Sequence, residues 1–212
     1  MSYTSRQRRV FPRVSLHQAW GVLGLLGVSA LALAAAPGLM PPSYSWLRHT
    51  TSESAAQGVA GAWLARLGFL SLGLAVVWLS SLARAAWRPL PRGLHAVFGL
   101  CLVAAASFST RAWLPDLAFD PVEDALHSVV ANVMGVAFAL GLTLQLTTPG
   151  RGRNRRTFDA IGVLASLVIP ITMSLSIEWT GALQRLMFAI AFAWYATEAH
   201  HLIQSAEVPD VA

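Results

Sequence analysis

No lysine occurs anywhere in the 212 residues, cysteine occurs once, and only 12% of the chain is charged. Each shortage excludes something. The single Cys101 lies in an apolar run, so no intrachain disulfide and no Cys-x-x-Cys metal or redox pair can form. A charged share about half the roughly 25% of soluble domains is too small to clothe a water-soluble surface. The formal charge of +5 is therefore arginine alone, and no segment is long enough to form a soluble domain with a basic face, which excludes a nucleic-acid partner. Gly-x-Ser-x-Gly, His-Glu-x-x-His, the phosphate-cradling loop and the dinucleotide fingerprint are all missing. No metal and no cofactor is implied. His200 and His201 are adjacent and splay about 100° apart on a helix, so no three-ligand zinc set falls on one face.

What remains is apolar: 55% hydrophobic residues and a mean hydropathy of +0.55. A bilayer core takes about 20 apolar residues per helix. Six segments approach that length, at 19–36, 62–82, 94–110, 126–146, 161–175 and 181–195. The fifth is short and carries Pro170, where a kink is expected. The expected fold is all-α: a polytopic membrane bundle of six transmembrane helices. A basic segment 1–18 precedes the six-helix domain 19–197, and a short tail 198–212 holds Glu198, His200, His201, Glu207 and Asp210.

Arginine in the connections sets the expected orientation, because arginine-rich short loops stay cytoplasmic. Arg6, Arg8, Arg9 and Arg13 precede the first span; Arg84, Arg88 and Arg92 join spans two and three; Arg151, Arg153, Arg155 and Arg156 join four and five. The alternate connections are acidic or mixed: Arg48 with Glu53, Arg111 with Asp116, Asp120, Glu123 and Asp124, and Glu178. Both termini are then cytoplasmic. A competing reading makes the first apolar segment a cleaved signal, although its run exceeds the usual 7–15 residues.

The outer side gathers the richer polar set: Ser52, Glu53, Ser54 and Gln57, Arg66, Arg111, the acids leading to His127, and Glu178, Gln184 and Arg185. Gly181, Gln184, Arg185 and Phe188 share one helix face. Arg185 lies about one turn into the membrane, where it needs a partner, a ligand or a route to the interface. Three readings follow: an ion pair locking helices, a guanidinium gripping a carboxylate or phosphate, or snorkelling. His127 follows Glu123 at i−4 and Asp124 at i−3, a spacing that can orient an imidazole as a general base and equally describes acids complementing a helix start. Asn132 reads as a helix-packing hydrogen bonder. Trp46, Trp63, Trp113 and Trp179 at one side and Trp78 and Trp87 at the other read as interfacial belts.

Three stretches then carry a resemblance: "PPSYSWLRHTTSESAAQGVAGAWLARLGFLSLGL", "LHSVVANVMGVAFALGL" and "GALQRLMFAIAFAWYATEAHHL". Together, over roughly residues 19–204, the chain resembles the six-helix prokaryotic membrane family known as domain of unknown function 998. The resemblance implies marked positions at Ser52, Glu53, Gly58, His127, Gly181 and Arg185, and a prokaryotic cell membrane. It names no activity.

The leading functional expectation is a binding role: an outward mouth lined by Ser52, Glu53, His127, Gln184 and Arg185 that holds a lipid headgroup or a small polar or anionic ligand. Membrane lipids are the expected partners, and the oligomeric state is left open. The alternative is an intramembrane lipid hydrolase or transferase with His127 as base, Glu123 or Asp124 orienting it and Ser52 or Ser54 as nucleophile. A structural subunit of a membrane complex is a further alternative. A transporter is disfavoured, because no ionisable residue is expected mid-span and no inverted repeat is visible. Ser52 or Ser54 is expected to cap span two, Gly58 to permit the turn, and Glu53 to meet Arg185 or His127.

Overall fold

The computed structural model describes residues 15–207, so Arg6, Arg8, Arg9, Arg13 and Asp210 lie outside the described residues. Six α-helices follow one another: α1 (Leu16–Ala35), α2 (Ala62–Leu82), α3 (Pro89–Ser107), α4 (Pro121–Leu146), α5 (Arg153–Leu175) and α6 (Thr180–Glu207). The fold is all-α among the described residues. Five of the helices, α1 to α5, are long and apolar enough to cross a membrane. At 28 residues α6 has the length, but the polar residues at its two ends leave it short of that apolarity.

Local chemistry fixes where several helices begin. Ser15 and Gln18 form a reciprocal capping box at the head of α1. Asp120 accepts the Val122 and Glu123 backbone N–H groups at the head of α4, and Pro121 and Pro89 occupy first-turn positions where a missing N–H costs nothing. These signals start α3 and α4 about five residues before their apolar runs. Likewise α5 begins at Arg153, not near 161, and Pro170 sits inside it. The segment read as a tail from 198 continues α6 to Glu207.

Each helix packs on the next, and α1 packs on α6, so the bundle closes on itself. Helices α2 and α3 approach closely where Gly73 and Gly99 face each other. A Cβ added at Gly73 would stand 2.6 Å from the Gly99 carbonyl oxygen. Rings pack in the centre of the bundle: Phe69 against Phe188 at 5.7 Å, Phe98 against Phe138 at 5.1 Å, and Trp194 edge-on to Tyr195 at 5.0 Å. Buried aromatics of this size fix the helix spacing and leave function to the two ends and the outer walls.

Candidate functional site

The connection between α1 and α2 is a folded cap. Gly58 and Gly61 take positive φ of 68° and 86°, which turns the chain into α2 without a side-chain cap. Neither Ser52 nor Ser54 caps α2. Ser54 donates to the Thr51 carbonyl at 2.6 Å, and Arg66 reaches back from α2 to the Ala55 and Ala56 carbonyls at 3.0 and 3.2 Å.

The head of α6 clamps this cap. Arg185 Nη1 donates to the carbonyls of Trp46 (2.8 Å), His49 (2.9 Å) and Gly181 (3.0 Å), and Nη2 donates to the Tyr44 hydroxyl. Gln184 Oε1 accepts the Thr51 N–H at 2.7 Å and the Ser52 N–H at 3.4 Å, and the Ala182 N–H reaches the Leu47 carbonyl at 3.0 Å. Gly181 is there for space: a Cβ would stand 2.6 Å from the Trp46 carbonyl oxygen. Burial raises the Tyr44 phenol above its ordinary pKa against the pull of Arg185, so it stays a neutral hydroxyl that also donates to the Thr50 carbonyl at 3.2 Å.

Glu53 meets neither Arg185 nor His127. Its Oε2 accepts the Thr50 N–H at 2.6 Å and the Thr50 hydroxyl at 2.9 Å, closing a tight turn within the cap. Gln57 ties the cap to the α3–α4 connection: Oε1 accepts the Asp120 N–H at 2.7 Å, and Nε2 donates to the Ser109 and Asp120 carbonyls at 2.7 and 3.1 Å.

His127 belongs to this second seam. It is buried, with Nδ1 2.8 Å from the Phe108 carbonyl oxygen. That partner makes Nδ1 the N–H donor. The carboxylates expected to orient the ring serve the connecting backbone: Glu123 accepts the Ser109 N–H at 2.6 Å, and Asp124 accepts the Arg111 N–H at 2.8 Å and the Thr110 hydroxyl at 2.9 Å. No hydrogen bond joins His127 to Ser52, Ser54, Glu123 or Asp124. Of the expected site residues, Ser52, Gln184 and Arg185 thus share the cap–α6 seam, Glu53 bonds within the cap beside it, and His127 and Asp124 hold the α3–α4 connection.

Beside the clamp lies an open cup of about 660 Å³ lined by Ser43, Ser45, Leu47, Arg48, His49, Trp113, Glu178 and Trp179. Arg48 and Glu178 pair at 2.5 Å, both well exposed. The His49 Nδ1 accepts the Ser45 N–H at 2.9 Å, which leaves Nε2 as its donor, and the ring stacks on Trp113 at 4.8 Å. Arg185 stands behind the cup wall, gripping the carbonyls on either side of Leu47 and Arg48. His49, Trp113 and Tyr44 were not singled out as site residues, although Tyr44 stands in the Pro-Ser-Tyr-Ser stretch that opens the cap.

The opposite end holds polar chemistry that charge counting read as a simple arginine belt. Arg151 grips Asp159 with two nitrogens and donates to Glu198 at 2.8 Å, while Arg155 donates to both Glu198 oxygens. Trp87 Nε1 reaches Glu198 at 2.8 Å and Trp194 Nε1 reaches Asp159 at 2.8 Å. The side chains of Arg151, Asp159 and Glu198 are at most 3% exposed. Burial alone would lower the Arg151 pKa, but its bonds to Asp159 and Glu198 outweigh that and raise it above the usual value. Trp87 is therefore a buried hydrogen-bond donor and not a belt residue. His95 is fully buried as well, with Nδ1 2.9 Å from the Tyr195 hydroxyl and its ring stacked on Trp194. Asp159 is the one acid near the arginine run, and that isolation was the available signal, although its i+4 spacing points to Arg155 and its actual partner is Arg151, eight residues back. Asn132 bonds only within its own helix, to the Ser128 carbonyl at 2.8 Å.

No curated protein and no solved structure matches the chain. A family model described as "Protein of unknown function (DUF998)" matches residues 15–201, and the chain belongs to that family of membrane-like helical proteins.

Proposed function

We propose that this is a six-span protein of a prokaryotic inner membrane, with both ends cytoplasmic, that binds a lipid headgroup or small polar or anionic ligand in its outward-facing cup. The alternation of arginine among the connections supports the orientation. The observation that carries the binding role is the composition of the cup. An exposed cation and anion, Arg48 and Glu178, stand beside an imidazole donor and two indole rings, on walls held in place by bonds to Arg185 and Gln184. A cup with one charge of each sign and aromatic walls suits a headgroup carrying a phosphate: Arg48 and His49 donate to its oxygens, and Glu178 takes any cationic or hydroxyl end. Ser52, Glu53, Gln184 and Arg185 act behind the wall, as positioning residues for Leu47–His49.

Soluble headgroups test this on the full chain in mild detergent. Glycerol phosphate and phosphocholine, titrated while tryptophan fluorescence is followed, are expected to give saturable quenching that is lost in Arg48→Ala/Glu178→Ala. Absence of saturation with both probes, together with lipid retention in native mass spectra unchanged by that double substitution, overturns the reading.

A further inference from the structure

We propose that the groove in the membrane-facing wall formed by α4, α5 and α6 seats one acyl chain of a membrane lipid, a step that rests on the headgroup reading for the identity of the molecule but has its own structural basis. The groove encloses about 400 Å³ and is lined by carbon, chiefly from Phe98 of α3, Met134 and Gly135 of α4, Pro170 of α5, and Met187 and Phe188 of α6. That volume lies in the range of sites that hold small molecules.

Its origin is the seating of α5. Asp159 and Gly162 bury the inner end of that helix, Ile169 is the one further buried residue, and every position from Pro170 to Leu175 is exposed or half-buried. The outer half of α5 therefore leaves α4 and α6 incompletely covered. Gly135 makes the shortfall visible on α4: it is exposed, and a Cβ built on it meets nothing within 4 Å.

Depth and chemistry select the occupant. Phe188 lies nine residues beyond Trp179 of the cup, about 13 Å along the helix axis. One leaflet of a 30 Å core is about 15 Å deep, so a chain anchored by its headgroup in the cup reaches the groove. The two polar residues at the groove, Asn132 and Ser166, already donate to carbonyls of their own helices at 2.8 and 2.7 Å, which leaves a polar solute one spare N–H and the side-chain oxygen of Asn132 against walls of carbon. A second helix, 10–12 Å across, would need about twice this volume for two turns. Thioether and phenyl surfaces accommodate a flexible methylene chain without demanding one conformation.

The test reconstitutes the full chain with a phospholipid carrying a diazirine midway along one acyl chain, photolyses it and maps labelled peptides. Labelling concentrated on 131–139 and 187–191 is expected. Gly135→Leu projects into the groove from an open Cβ position and is expected to bring that labelling down to the level of the other lipid-facing helices. Gly24→Leu is the control, because Gly24 on α1 is equally exposed and open, and it should leave the labelling unchanged. Labelling spread evenly over all lipid-facing helices, or groove labelling that persists in Gly135→Leu, overturns the proposal. Concentrated labelling without headgroup saturation at the cup overturns the headgroup reading and keeps the chain site; saturation with scattered labelling does the reverse.

Discussion

Removing the Glu198 carboxylate should be among the most damaging single changes available outside the ring-packed core. Glu198 is 3% exposed and accepts from Trp87, Arg151 and Arg155. In Glu198→Ala the Trp87 N–H is orphaned and Arg151 loses one of its two acids. Breaking a buried ion pair costs about 3–5 kcal/mol. The lower end, about 3 kcal/mol, applies here, because Arg151 keeps Asp159 and the 24%-exposed Arg155 can turn to water. For a chain of this length that is a fall in Tm of about 6–12 °C. Cys101, the single cysteine and half-buried in α3, supplies the assay: a thiol-reactive fluorogenic dye in mild detergent reports its exposure on heating. Arg155→Ala alone should cost less, and Glu198→Ala should cost less in that background than in the parent, since the two share a bond. A Glu198→Ala protein melting within about 2 °C of the parent would refute the network as a source of stability.

Three further outcomes are expected. Gly181→Ala drives a methyl into the Trp46 and His49 carbonyls, costs about 1–3 kcal/mol and loosens the cap, which trypsin reads as faster cleavage after Arg48. Gly73→Ala forces α2 from α3 at a similar cost of about 1–3 kcal/mol, and Gly99→Ala in the same chain adds less than its separate effect; melting of the singles and the double measures both. Gln57→Leu keeps the bulk but strands the Asp120 N–H and the Ser109 carbonyl, lowering stability by about 1–3 kcal/mol and speeding hydrogen exchange at residues 109–120.

The helices were legible because apolar runs and their proline and glycine boundaries are local properties. The six-helix order and the clustering of Gln184 and Arg185 on one face of α6 follow from spacing, and the turn at Gly58 from the family resemblance. Partners were less legible, because an outer polar group has many acceptors within reach. Arg185 offers a charge that invites a carboxylate, yet backbone carbonyls of the cap and the Tyr44 hydroxyl satisfy it. Glu53 likewise serves its own turn, a choice that depends on how residues 50–53 fold and not on their composition. The network of Arg151, Arg155, Asp159 and Glu198 was missed for another reason. Arginines beside a membrane span are ordinarily orienting charges, so Arg151 and Arg155 raised no demand for partners. Only the third dimension brings Asp159 and Glu198, 39 residues apart, to the one guanidinium of Arg151.

That network also bears on how the chain is made. In the proposed orientation Arg155 is still without Glu198 when α4 and α5 insert, and with Arg153 and Arg156 it holds the connection on the cytoplasmic side. Glu198 emerges last, with the final helix. When it arrives, Glu198 pairs with Arg155 and joins Arg151, so part of the charge that guided insertion is neutralised once insertion is complete. A chain cut short before α6 leaves Arg155 without that carboxylate and Arg151 with Asp159 alone, a defect that marks it as unfinished.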